Sequence, residues 1–177
     1  MSSGVGDREQ VASLRAMAHP VRLRILSLLT GAAMSAAEVA RELGLTHANA
    51  SYHLRLLSDV GLLVDAGKES IRGGKAKRYR YDLDHPGTSS TDAAANALYY
   101  QAIAGELVRR ASSRRSTGAM GSSSDAELWV SGDAWQAAVD RVTGATVELH
   151  RAAVAPHTSG ALHVSITTAL FEMGDGS

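Results

Sequence analysis

The chain has 177 residues, which fits one domain or a small domain with an extension, and it can bury a core without covalent cross-links. It contains no cysteine, which excludes disulfides and thiolate metal sites, and its formal net charge is zero. No apolar run approaches the roughly 20 residues that span a bilayer, and no signal peptide pattern opens the chain, so we expect a cytoplasmic protein without a membrane partner.

The first predicted elements are two helices joined at His19-Pro20. Asp7 followed by Gln10 resembles a capping box and predicts a helix from Asp7 to about Met17. Proline disfavours helical backbone in the residue before it, so this helix ends there, and Pro20 suits the first turn of the next one. The second helix is predicted to end near Thr30-Gly31. The inward apolar positions are Val11, Leu14, Met17, Val21, Ile25, Leu28 and Leu29.

Two further helices with a tight turn between them are predicted next. Ser35 is a good cap for a helix over residues 36–43, and Gly44 ends it. Thr46 caps a longer helix that stops at Gly61. Its apolar positions Ala50, Leu54 and Leu57 recur at spacings of three and four, which gives one buried stripe. Two helices joined by a glycine-containing turn indicate a helix-turn-helix.

A basic hairpin is predicted after Gly61. Residues 62–64 start one strand, and Gly73-Gly74 is a strong two-residue turn signal. Residues 76–83 form the return strand, which alternates between two faces and ends before His85-Pro86-Gly87. One face carries Tyr79, Tyr81 and Leu83, and the other carries Arg78, Arg80 and Asp82.

The remaining residues predict a mainly helical C-terminal region. Residues 92–110 read as a helix whose stripe holds Tyr99 or Tyr100, Ile103 and Leu107, and residues 112–124 read as a flexible connection. A short strand at 128–130 and an alternating strand at 161–171 flank a helix that Ser131 caps and that ends near Ala153. Its predicted face is Trp135, Val139, Val142, Thr146 and Leu149.

These elements predict a mainly α protein with a small β wing. We expect a winged helix-turn-helix domain in residues 1–87 and a C-terminal helical or α+β region for dimerisation or an effector in residues 88–177. Charge is uneven between them: residues 1–85 hold 12 Lys and Arg against 9 Asp and Glu, and residues 86–177 hold 6 against 9. The wing concentrates the positive charge in Lys68, Arg72, Lys75, Lys77, Arg78 and Arg80.

The polar face of the helix predicted in residues 46–61 and the basic hairpin are candidates for DNA contact. Their side chains can hydrogen-bond to base edges and phosphates, and none of the candidate side chains on the helix is an acid. Arg55 could pair with guanine or lie on a phosphate, and His53 could equally be packed and bonded to backbone. The plain alternative is a solvated helix face and a solvated hairpin. The candidate residues are Thr46, His47, Asn49, Ser51, Tyr52, His53 and Arg55 on the helix, and Lys75, Lys77, Arg78 and Arg80 on the wing.

Three segments resemble the ArsR-type winged helix transcription regulators. They are residues 14–30, 35–63 and 76–83, within a similarity that covers about residues 8–83. The most specific pattern is Ser51-Tyr-His53-Leu54-Arg-Leu-Leu57, followed by Gly61-Leu62. The resemblance implies a homodimeric DNA-binding repressor whose recognition helix enters the major groove. The metal-sensing branch has a cysteine motif, or Asp and His ligands on its C-terminal helix, and this chain lacks cysteine and has no His in residues 92–110.

The sequence therefore predicts a sequence-specific transcriptional regulator of bacterial type. We expect a homodimeric repressor on a double-stranded DNA operator, released by a small-molecule effector that the C-terminal region could bind. We find no catalytic motif and predict no enzyme activity and no cofactor. One alternative is a metal-responsive repressor that uses His150, His157 and His163, and another is a protein-interaction module that no longer binds DNA. Trp129, Trp135 and residues 161–171 fit either a plain core or a pocket or dimer interface.

Overall fold

The computed structural model describes residues 3–71, 74–85, 90–115 and 120–174. Over these residues it contains six helices and one three-stranded antiparallel sheet, and it confirms the predicted fold class, a winged helix-turn-helix followed by a mainly helical region. The elements are α1 (Ser3–Met17), α2 (Pro20–Gly31), β1 (Met34–Ser35), α3 (Ala36–Leu43), α4 (His47–Asp59), β2 (Leu63–Ile71), β3 (Gly74–Tyr81), α5 (Ala93–Ala111) and α6 (Gly132–Arg151).

The hydrophobic core lies between the first four helices and the base of the sheet. Of the predicted inward leucines and isoleucine of α1 and α2, Leu14, Ile25 and Leu29 are fully buried and Leu28 is partly buried, while the predicted stripe of α4 is fully buried. Burying one large apolar side chain stabilises the fold by about 1.5–3 kcal/mol. The apolar stripe of α4 therefore lies in the core, and the opposite face of α4 is left to solvent. The fully buried apolar residues are Leu14, Ile25, Leu29, Val39, Ala50, Leu54, Leu57 and Leu62.

The junction of α1 and α2 follows the prediction, whereas the start of α1 does not. His19 is extended and caps α2, because its Nδ1 accepts the Val21 N–H at 3.2 Å, and Pro20 occupies the first turn. The helix α1 begins at Ser3, so the prediction that Asp7 caps it is wrong. The Asp7 carboxylate instead accepts hydrogen bonds from the hydroxyls of residues 90 and 91, each at 3.4 Å.

The predicted bounds and caps of α3 are confirmed, and so is the Thr46 cap of α4, although α4 ends at Asp59 with Val60 as its C-cap and not at Gly61. Ser35 and Glu38 form a capping box, in which the Glu38 N–H donates to Ser35 Oγ and the Ser35 N–H donates to the Glu38 carboxylate. Gly44 ends α3 at φ 65°, a left-handed conformation that glycine adopts without strain. Thr46 Oγ1 then accepts the Asn49 N–H at 3.2 Å and starts α4.

The wing is an antiparallel hairpin with a short third strand that the sequence pattern did not predict. The strand order is β1-β3-β2, and Met34 and Ser35 of β1 pair with Tyr79 and Arg78. Residues 71 and 74 are paired, which confirms a hairpin, but residue 74 belongs to β3. The prediction that Gly74 lies in the turn is therefore wrong, and residues 72 and 73 lie outside the described residues.

A β-bulge interrupts the hairpin. The pairing steps from Asp65↔Tyr79 to Lys68↔Lys77, so β2 contains one residue more than β3 between these pairs. The extra length is accommodated at Gly67, whose φ of 94° favours glycine and whose N–H donates to Asp65 Oδ1 at 2.8 Å. The bulge divides the wing into a base next to the helices and an outer part.

The helix α5 is confirmed, but its inward stripe is rotated from the predicted one. Asp92 caps it, and its buried residues are Ala95, Ala102 and Glu106. Leu107 is 48% exposed, so its assignment to the inner face is wrong. The inner face meets α1 and α2 closely, and small residues suit such a contact better than leucine.

Two predicted strands in the C-terminal region are wrong. Residues 128–130 and 161–171 are described as chain without helix or strand, and Trp129 is 92% exposed. Alternation alone does not make a strand, because a strand needs a hydrogen-bonded partner, and no described segment pairs with either one. The helix α6 is confirmed, although none of its residues, all of which are described, is fully buried.

The C-terminal region contacts the winged helix at several points. The helix α5 packs against α1 and α2, and Arg15 pairs with Asp92 at 3.2 Å. The chain after α6 lies against Gly31 of α2 through the backbone of Val154. The predicted boundary near residue 87 lies in residues 86–89, outside the described part of the chain. No described helix is both long and apolar enough to cross a membrane.

Candidate nucleic-acid interface

The outer face of α4 presents most of the predicted contact residues to solvent. Because Ala50, Leu54 and Leu57 hold the other face in the core, this orientation follows directly from the spacing of the apolar residues. The side chain of Ser51 is half-buried. The exposed candidates on this helix and its cap are Thr46, His47, Asn49, Tyr52 and Arg55.

Arg55 presents hydrogen-bond donors on this exposed face. Its Nε donates to the Ser51 carbonyl one turn earlier at 3.3 Å, and no carboxylate among the described residues pairs with it. The bond steadies the stem of the side chain and leaves the terminal guanidinium nitrogens available. A guanidinium in this state can reach a phosphate or the acceptor edge of guanine.

His53 does not belong to the exposed face. Its side chain is 8% exposed, and its ring packs against those of His19 and Tyr52 at centroid distances of 5.1 and 5.3 Å. Its Nδ1 has no hydrogen-bond partner among the described residues. The structure thus supports the alternative in which the His53 side chain is packed against its neighbours. In this conformation the side chain is not available to contact DNA.

Burial also determines the charge state of this pair. Desolvation, together with the positive charge of nearby Arg22, lowers the pKa of His19 below its ordinary value of 6.5. Burial lowers the pKa of His53 as well, assisted by the proximity of His19 and Arg22. Both rings are therefore neutral near pH 7, so neither supplies a cation for a phosphate.

The wing cations fall into two groups. Lys75 and Arg80 are exposed and form no ion pair with another described residue. Lys77 and Arg78, by contrast, have partners within the wing and at its base. The Lys77 Nζ lies 3.5 Å from Asp65 and 4.9 Å from the centre of the Tyr79 ring, while remaining exposed.

Arg78 is the most heavily bonded of the four. Its guanidinium pairs with Glu69 of β2 and with Glu38 of α3, the latter at 3.3 Å, and it donates to the Ala33 carbonyl. Tyr79 and Tyr81 are buried and half-buried, as predicted for inward strand residues.

The turn after α4 places the wing directly beside this helix. Gly61 adopts a φ of 76°, and the Leu62 N–H donates to the Leu57 carbonyl at 3.1 Å, which reverses the chain into β2. The base of the wing also packs on α2 and α3 through β3. A polar helix face and a cationic hairpin on one rigid support suit the major groove and the adjacent backbone of a duplex.

Sequence reasoning missed two residues of this region. Glu38 could have been found, since Ser35 followed by an acid three residues later is the pattern of a capping box. Its pairing with Arg78 depends on tertiary structure and left no local signal. Arg22 was also missed: it donates to the Arg15 carbonyl at 3.1 Å and lies close enough to influence His53 and His19.

The C-terminal histidines are placed apart from this interface. His157 pairs with Glu42 of α3 at 3.2 Å. Among the described residues, this is the one ion pair between a C-terminal histidine and a carboxylate of the helix-turn-helix. No group of three or more His, Asp or Glu residues in the described part of the chain is arranged to hold a metal ion.

Comparison with known families agrees with this geometry over part of the chain. A family model described as a helix-turn-helix domain matches residues 17–65, which run from the end of α1 into the start of β2. No curated protein matches the chain. The matched residues contain α2, α3, α4 and all the candidate contacts on α4. The helix-turn-helix indicates a DNA-binding regulator.

Proposed function

We propose that this chain is a sequence-specific transcriptional regulator of the ArsR-like winged helix type, which binds duplex DNA as a homodimer. The observation that carries the proposal is the exposed face of α4, with Asn49, Tyr52 and Arg55 open to solvent, beside a wing with exposed cations. In this proposal Asn49, Tyr52 and Arg55 read or position the major groove, while Lys75 and Arg80 contact phosphates. The chain acts without a catalytic step or cofactor.

The second copy in this proposal meets the chain at α5 and the C-terminal region. The helix α5 exposes apolar side chains outside its buried stripe, among them Leu98 at 52% and Val108 at 71%. Solvent-facing apolar residues on one helix favour a contact with another protein surface. A twofold dimer would present two recognition helices to half-sites about one turn of DNA apart, or a multiple of it.

Repression and release complete the proposal. A dimer bound over a promoter excludes polymerase, and an effector bound in the C-terminal region would change the spacing of the two recognition helices. The direct contacts of this region with the helix-turn-helix, Val154 on Gly31 and His157 on Glu42, support such coupling. A thermal-shift screen of small molecules, followed by DNA binding with each hit, tests this step.

DNA binding itself is tested by selecting bound duplexes from a random-sequence library with the full chain. We expect one enriched, roughly palindromic sequence. If Arg55 reads a base, Arg55→Ala should relax the base preference at one position of each half-site. If Arg55 contacts a phosphate, the substitution should weaken binding to all sequences alike. Arg8→Ala, an exposed arginine on α1, is the matched control and should change neither. Failure to enrich any sequence would contradict the proposal.

The same experiment separates a second candidate function, a protein-interaction module. The specific observation that favours it is the exposure of Leu128, Trp129 and Val130 in the C-terminal region. If the unaltered chain binds no duplex DNA even at low salt, that result would support this candidate. The metal-responsive alternative is tested by measuring the same DNA affinity with a chelator and with added zinc.

A further inference from the structure

Arg78 lies at the bend of the wing. It stands in β3 opposite the bulge that β2 forms between residues 65 and 68. A bulge leaves an unpaired residue and increases the local twist, so backbone hydrogen bonds hold the outer part of the hairpin less firmly to its base. We define the distal wing as residues 68–71 and 74–77, the described residues beyond this bulge.

The side chain of Arg78 bonds to groups on both sides of the bend. On the distal side it pairs with Glu69, and on the base side it pairs with Glu38 Oε2 at 3.3 Å and donates to the Ala33 carbonyl. Its side chain is only 25% exposed. Arg80, two residues along the same strand and on the same face, is exposed and forms no ion pair with a described residue.

The partner on α3 is held in place independently. The N–H and Oγ of Ser35 donate to the Glu38 carboxylate at 2.7 and 2.8 Å, and the backbone of Ser35 is paired with Arg78 in the sheet. Burial works against ionisation of Glu38, but these hydrogen bonds and the charges of Arg78 and Arg41 together lower its pKa. The carboxylate is therefore a fixed anion at the first turn of α3.

These contacts connect β2 and β3, at the bulge that interrupts their pairing, to the first turn of α3. We propose that Arg78 is a positioning residue, which fixes the distal wing against α3 and thereby sets where Lys75 and Lys77 meet DNA, and that it is not itself a phosphate contact. The inference rests on the proposed DNA-binding function. It assigns Arg78 a role different from those of Lys75 and Arg80, although all three are cations of one strand.

The dependence of DNA affinity on salt distinguishes the two roles. Each phosphate contact contributes about 0.9 to the slope of log affinity against log salt concentration. Arg80→Ala and Lys75→Ala should each reduce that slope by about this amount. Arg78→Ala should weaken binding about fivefold, the effect of losing a partly shielded ion-pair network, and leave the slope unchanged. A slope reduced as in Arg80→Ala would overturn the proposal.

Glu69→Gln provides a test with opposite signs for the two roles. It removes a negative charge from the wing, so simple electrostatics predicts tighter binding to DNA. If Glu69 anchors the distal wing through Arg78, the substitution should weaken binding instead. It should also add little to Arg78→Ala in the double variant, because both remove the same link. Tighter binding by Glu69→Gln would contradict the positioning role.

Amide hydrogen exchange tests the same role in the absence of DNA, so the result does not depend on the proposed function. Arg78→Ala and Glu69→Gln should each accelerate exchange in the distal wing relative to the amides of α2, and Arg80→Ala should not. If the unaltered chain binds no duplex, the proposed function fails and exchange alone decides. Unchanged exchange in the distal wing of a folded Arg78→Ala variant, or of Glu69→Gln, would refute the inference.

Discussion

His53 of α4 packs its ring against that of His19, with the two centroids 5.1 Å apart. His19 is also the N-cap of α2, since its Nδ1 accepts the Val21 N–H. The contact therefore joins the residue that starts one core helix to the underside of the helix proposed to read DNA. Neither ring has a carboxylate partner among the described residues, and Arg22 is the nearest charge acting on both.

This arrangement predicts that the protein loses stability in mild acid. The pKa values of both histidines are lowered in the folded state, mainly by burial, so the unfolded chain binds more protons once the pH falls below about 6.5. The free energy of unfolding should accordingly be highest above that pH and decrease as the pH falls below it. Urea unfolding between pH 5 and 8 measures this trend.

Variants identify the source of that pH dependence. His53→Gln should flatten the profile between pH 5 and 7, because it removes one of the two suppressed protonation sites. His163→Gln, at an exposed position in the C-terminal region, should leave the profile unchanged. If both variants follow the unaltered protein, another group is responsible and the packed pair has no part in the acid response.

A second prediction concerns the buried side of α4. Leu57 is fully buried, so Leu57→Ala should destabilise the fold by about 2–5 kcal/mol through lost apolar burial and the cavity left behind. Asn49→Ala, on the exposed face of the same helix, should change the free energy of unfolding by less than about 0.5 kcal/mol. Urea unfolding at pH 7.5 compares them. Equal effects of the two changes would contradict the assignment of faces on α4.

The accuracy of the sequence-based predictions depends on how local the determining interactions are. The bounds of α3 were predictable because Ser35 and Gly44 fix both ends within a few residues. The segment 161–171 alternates as a strand should, but strand formation depends on a partner elsewhere, and the described chain supplies none.

Tertiary relationships of charged residues were also beyond local pattern. In the sequence, Arg78 is one of several cations of the wing. Only the folded structure places Glu38 and Glu69 beside it. The buried face of α5 could not be read from its large apolar residues, because close contact with α1 and α2 selects alanine at the interface and leaves Leu107 outside. Periodicity locates helices reliably, whereas the choice of face depends on what packs against them.

A third prediction tests the contact between α2 and the C-terminal region. A Cβ added to Gly31 would lie 2.2 Å from the carbonyl oxygen of Val154, a backbone atom that can move only with its segment. Gly31→Ala should therefore displace residues 152–160 and accelerate their amide exchange. Gly144→Ala is the matched control, since nothing lies within 4 Å of the added atom in the middle of α6. It should stabilise that helix by about 0.5–1 kcal/mol.

The outcome also bears on the proposed regulation. If the C-terminal region acts on the helix-turn-helix through this contact, Gly31→Ala should change DNA affinity while Gly144→Ala does not. Unchanged exchange in residues 152–160 of the Gly31→Ala variant would show that the contact at Val154 does not hold this segment against α2 in solution.

The last prediction concerns the outer face of α5. Leu98 and Val108 are ten residues apart, which separates them by about 80° around the helix, and both are largely exposed. In a twofold dimer each position of the interface occurs twice, so a charge placed there is buried twice. Leu98→Glu and Val108→Glu should each weaken self-association about tenfold or more, measured by sedimentation equilibrium. Leu162→Glu, an equally apolar and exposed position outside α5, should leave the association constant unchanged.

Because the two recognition helices must bind together, the α5 variants should also lose affinity for a palindromic site far more than for an isolated half-site. Equal losses on both DNAs, or a dimer that survives both α5 substitutions, would place the interface elsewhere on the chain.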